Sequence, residues 1–147
     1  MSGGLPRPEA LRPGDALPPL FRAIGREDML RFNRYVTGGR DTRNIHTDDE
    51  VARRAGLPRA VAAGRHPAAF IAERMADLLG SGFLAGGEFE VTFVKPIFPG
   101  DVLQLTAKVR ERVEEEGRVR LVFEVALLNQ DGAPVIVGTA DGGLDSG

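Results

Sequence analysis

The chain has 147 residues, 42% of them hydrophobic, with no cysteine and a formal net charge of −2. That length suits one domain with room for a core, and the missing cysteines exclude disulfides as a source of stability. No apolar run nears the roughly 18 residues that cross a bilayer, and the basic residues are interleaved with acids, not gathered into the stripe of a nucleic-acid binder. Arg7 and Arg12 sit among prolines and glycines without the apolar stretch of a signal peptide, so a cytoplasmic protein is expected.

Residues 1–13, rich in Gly, Pro and Arg, read as a flexible lead-in to a single domain over 14–144. Leu17 to Ile24 reads as a short strand, with Pro18 and Pro19 suited only to its start or to an edge. A helix follows Gly25: Glu27 and Asp28 suit its positive end, Met29, Phe32 and Val36 give its apolar stripe, and Gly38-Gly39 stops it. Asp48 caps a second short helix that ends at Gly56. Beyond Pro58 a more apolar helix carries Ala68, Ile71, Ala72, Met75, Leu78 and Leu79 at helical spacing, with Pro67 in its first turn and Gly80-Ser81-Gly82 as its stop.

The second half changes period. Phe89, Val91 and Phe93 alternate with polar residues, as do Leu103 to Val109 and Val119 to Leu127. Glu114 to Gly117 and Asp131-Gly132 supply turns, and Pro134 to Ala140 forms a last strand. These are antiparallel strands with one buried face. The expected class is α+β, one curved antiparallel sheet wrapped around a central apolar helix. The element order resembles that of the hot-dog fold.

Few chemistries have their parts. No cysteine nucleophile exists, Ser81 lacks a nucleophile-elbow context, and two histidines without H-E-x-x-H or cysteine partners argue against a metal site. What survives is Asp41 and His46, an acid and a base five residues apart in one polar loop, able to hold a water between them. The spacing alone is also what two solvated loop residues show, or a histidine capping the helix near Asp48.

The neighbouring phrases add to this. Gly14-Asp15-Ala16-Leu17-Pro18, the loop from Gly39 to Asp48, Ala52, Gly56-Leu57, Val61-Ala62-Ala63-Gly64 and Phe93-Val94-Lys95-Pro96-Ile97-Phe98-Pro99-Gly100-Asp101 together resemble the MaoC-like family of acyl-thioester hydratases and dehydratases. The resemblance covers nearly the whole domain. It implies an (R)-specific 2-enoyl-thioester hydratase or 3-hydroxyacyl-thioester dehydratase in which Asp41 and His46 bind the reacting water and the Gly64 backbone N–H meets the thioester carbonyl. It further implies a homodimer, an acyl group carried by coenzyme A or an acyl carrier protein, and no resident cofactor or metal.

The loop departs from the family pattern. Gly39-Arg40 stands for Ser-Gly, Arg43-Asn44 for Asn-Pro, and Ala63-Gly64 for His-Gly. The lost proline is expected to loosen the support of His46, while Arg43 and Arg65 are candidates for carrier phosphates. His66 is expected to be a structural helix-start residue, and Tyr35 and Lys95 packing and surface residues. Two further readings are a non-catalytic or hetero-oligomeric partner subunit of such a hydratase, and a hot-dog acyl-CoA thioesterase.

Overall fold

The computed structural model describes residues 4–144; the first three residues of the expected lead-in lie outside that range. Part of the rest of the lead-in is packed on the domain. Pro8–Ala10 forms a 3-10 turn, Leu11 is buried, and Arg112 Nη1 donates to the carbonyls of Glu9 and Leu11.

The elements in order are β1 (Leu20–Ala23), α1 (Arg26–Val36), α2 (Asp49–Arg54), α3 (Arg65–Leu79), α4 (Ser81–Leu84), β2 (Glu88–Phe93), β3 (Val102–Glu115), β4 (Arg118–Leu128) and β5 (Pro134–Gly143). The strand expected from Leu17 is shorter because Pro18 and Pro19 have no N–H for the ladder. Ahead of it Ala16 bridges to Lys108, with backbone hydrogen bonds from Gly14 N to the Val109 carbonyl, from Val109 N to the Asp15 carbonyl and from Leu17 N to the Ala107 carbonyl. The short helix α4 was not anticipated.

All strand pairs are antiparallel, in the order β1-β3-β4-β5-β2. The alternation on β3 and β4 turns Leu103, Leu105, Val109, Leu121, Phe123 and Leu127 inward, against Ile71, Met75, Leu78 and Leu79 of α3. This is the hot-dog arrangement expected from the sequence. A bulge between Val109 and Glu111 shifts the β3–β4 register, and such an extra residue bends a strand. Beyond it the hairpin closes through Glu116 and Gly117, both at positive φ, the geometry that matches the strands' own twist.

Helix α1 differs from its apolar period in one respect. Val36 is exposed, and Asn33 is buried in its place. The reason is a set of hydrogen bonds that Asn33 makes beneath the loop following α1. No helix among the described residues is long and apolar enough to cross a membrane.

Candidate active site

The loop from Arg40 to Asp48 is held by polar side chains. Asn33 Nδ2 donates to Thr42 Oγ1 at 3.1 Å, and Asn44 Nδ2 donates to Asn33 Oδ1 at 2.9 Å. Asn44 Oδ1 accepts the His46 N–H at 2.8 Å, an Asx turn. The Asn44 N–H donates to Thr47 Oγ1 at 2.9 Å, and that hydroxyl donates to the Thr42 carbonyl at 2.7 Å. The loosening expected from the lost proline is therefore offset, since Asn44 fixes the turn with its side chain. Asn33, Thr42 and Thr47 were not singled out from the sequence; an asparagine four residues after Met29, in line with the apolar stripe, is the signal that could have found the first.

Asp48 caps α2 as expected. Its Oδ1 accepts from Glu50 N and Val51 N, and its Oδ2 takes Arg43 Nε at 2.7 Å. The Arg43 hydrogen bond first, then the Val51 amide, hold this carboxyl below its usual range. Arg43, a candidate for phosphate contact, is thus engaged inside the loop. Asp49 is lowered too, chiefly by the Ala60 N–H and then by Arg26, which ties α2 to the segment ahead of α3.

His46 is half-buried, and its Nδ1 lies 2.9 Å from the Val61 carbonyl. A carbonyl only accepts, so Nδ1 carries the hydrogen and, in the neutral ring, Nε2 bears the lone pair of a base. Asp41 faces differently. Its side chain is 83% exposed and accepts Arg34 Nε at 2.9 Å, and among the described residues no hydrogen bond joins it to His46.

Val61 connects His46 to an apolar cavity of about 460 Å3, which Leu57, Gly64, Pro67, Phe93, Lys95 and Ile97 also line. Gly64 caps α3 in ordinary helical backbone, φ −56° and ψ −34°, so no positive φ demands glycine there. Contact does: a Cβ would lie 2.8 Å from Phe93 Cζ. The Gly64 N–H has no protein acceptor among the described residues, and it stands at the end of a helix where such groups suit developing negative charge. The β2–β3 loop forms the opposite wall. Ala62 N donates to the Ile97 carbonyl, and buried Asp101 accepts Phe98 N at 2.8 Å and Gln130 Nε2 at 3.0 Å.

His66 is the second residue of α3, stacked on Phe32 at 4.9 Å and edge-on to Phe70. Its Nδ1 is buried without a partner among the described residues, and burial lowers its pKa. Tyr35 is exposed, as is Lys95 at the cavity. Arg65, exposed at the start of α3, makes no ion pair among the described residues.

On a hot-dog scaffold, His46 is tied through Val61 to an apolar cavity that the helix-start residue Gly64 also lines. Residues 19–128 match the model of the MaoC like domain, and the chain belongs to that family. It is 29% identical over 120 residues to a UPF0336 protein of Clavibacter michiganensis subsp. michiganensis, covering 77% of this chain and 78% of that one. Among solved structures it is similar to the R-hydratase PhaJ1 from Pseudomonas aeruginosa in its unliganded form, with a TM-score of 0.72, 23% identity, and coverage of 90% of this chain and 81% of that one. It is also similar to the C-terminally truncated HadBC (3R-hydroxyacyl-ACP dehydratase) complex from Mycobacterium tuberculosis, with a TM-score of 0.66, 20% identity, and coverage of 89% and 96%. At these identities the solved structures establish the fold.

Proposed function

We propose that the protein hydrates 2-enoyl thioesters and, in reverse, dehydrates (R)-3-hydroxyacyl thioesters. The observation that carries this reading is the His46–Val61 hydrogen bond, which leaves Nε2 as the base nitrogen and ties the ring to a residue that lines the same cavity as Gly64. In hydration, water attacks Cβ while His46 Nε2 takes its proton. The electron pair of the double bond moves onto the thioester oxygen, where the Gly64 N–H stabilises the enolate. A proton returned to Cα completes the addition of one water. Asp41 orients that water once it releases Arg34. The step needs no resident metal or cofactor; coenzyme A or a carrier protein arrives as part of the substrate. A cytoplasmic homodimer completes the proposal.

The test is loss of enoyl absorbance with a crotonyl thioester. His46→Ala and Asp41→Asn are each expected to lower turnover by about 100- to 10,000-fold in a chain that still folds. Wild-type-like rates in either variant would sink the assignment.

A second reading is favoured by Asp41 itself, turned to solvent and paired with Arg34. In it the chain is the partner subunit of a hetero-oligomeric hydratase. HadBC, to which this chain is similar in fold, is itself a complex, which supports such pairing. Hydration absent from the purified chain but regained with a second hot-dog chain would select this reading. Release of free thiol from an acyl-CoA would select the thioesterase instead.

A further inference from the structure

Between residues 22 and 95 nearly every cation has a partner. Arginines from Arg22 to Arg54 bind carboxylates, while Arg40 donates to the Thr37 carbonyl and Arg74 to that of Pro18. Arg59, Arg65 and Lys95 alone in that stretch have neither an ion pair nor a side-chain hydrogen bond among the described residues. One of them lines the cavity, and the other two lie close to its lining residues in the chain. Lys95 lines it, Arg65 follows Gly64 in its wall, and the Arg59 guanidinium lies 4.7 Å over the ring of Phe98, the residue after the cavity-lining Ile97.

No ion pair or side-chain hydrogen bond among the described residues accounts for the placement of Arg65 and Lys95. Arg65 is the first residue of α3, whose first turn carries no acid, and the dipole disfavours a cation there. Arg59 is pre-set by its ring contact, which holds a planar fork of donors out to solvent.

We infer that Arg59, Arg65 and Lys95 form a recognition rim for the phosphates of a coenzyme A thioester, whose acyl end enters the cavity beneath them. The inference rests on the thioester reading above. It leaves Arg43 aside, because the Nε of that side chain is bonded to Asp48.

Calorimetric titration of the full chain with coenzyme A and with pantetheine, which has the thiol arm but no phosphate, tests it. Coenzyme A is expected to bind at least about tenfold more tightly, the size of one charge-assisted hydrogen bond, and to weaken as salt rises. Arg65→Ala and Lys95→Ala are each expected to lower that affinity roughly three- to tenfold and leave pantetheine unchanged. Arg59→Ala does the same without altering the melting temperature. Arg53→Ala, a residue already paired with Glu50, changes neither affinity.

No binding of coenzyme A, equal affinity for the two probes, or wild-type affinity in the triple alanine variant overturns the rim. So does a triple variant that loses binding only to an acyl carrier protein, since the partner is then an acidic protein. These titrations do not depend on turnover. Rim-dependent binding without crotonyl-thioester hydration keeps the rim and removes the hydratase reading; hydration with rim-independent binding does the reverse.

Discussion

Asn44 stands where the family pattern has a proline, and its amide does work a proline cannot. The N–H donates to Thr47 Oγ1, and the side chain bridges the His46 N–H to Asn33. Asn44→Ala strips a buried asparagine of its partner and is expected to lose about 1–3 kcal/mol, a fall of roughly 3–10 °C in melting temperature. Asn44→Pro restores the family residue yet is expected to lower the melting temperature as well, because it removes both sets of bonds. A thermal scan of the two variants decides this; a more stable Asn44→Pro would mean the Asx turn is dispensable. The positions of Asp41, His46 and Asp48 were legible in the sequence because chemistry and phrase agree there. Their partners were not, since Arg34 and Val61 reach the loop through the tertiary fold. His66 gives the pH prediction. Its folded pKa lies below the unfolded value near 6.5, so its neutral form contributes stability in full above that pH and loses it as pH falls through the folded value. His66→Leu is expected to flatten the decline in melting temperature as the pH falls below about 6.5. A decline as steep as in the wild type would show that other groups carry it.

At the scale of elements, α3 and β2 are coupled through one contact. Phe93 ends β2, paired with Ile136 of β5, and its ring rests on Gly64 at the start of α3. Gly64→Ala is expected to destabilise by about 1–3 kcal/mol through overpacking and to reduce turnover by displacing the amide. Phe93→Leu in that background removes the obstructing ring atoms and is expected to recover most of the lost stability. A double-mutant cycle on melting and kcat measures the coupling; additive effects would mean that ring and glycine do not communicate. Helical periodicity made α3 legible, with Ile71, Met75 and Leu78 buried as their spacing requires. It placed Val36 wrongly because hydrophobic spacing carries no information about a polar network that draws Asn33 inward. Phe93 was readable as a strand residue, but nothing local to β2 says what its ring covers.

At the scale of the molecule, the sheet order leaves β2 at one edge. Phe89, Phe93 and Val94 stay 37%, 53% and 52% exposed along and just beyond it, an apolar and unpaired edge of the kind that invites another strand. The proposed homodimer predicts a sedimentation coefficient of two chains, shifted toward one chain by Phe89→Glu. A monomeric wild type would instead leave that edge for a different subunit. The bulge of β3 has a separate, practical consequence. Past it, beyond the buried Leu121, Glu114 to Arg118 are exposed around a tight turn. Insertions are best tolerated at such exposed tips, so this turn is the natural port for a fluorophore, a surface tether or a permuted chain end, remote in sequence from the loop that holds His46.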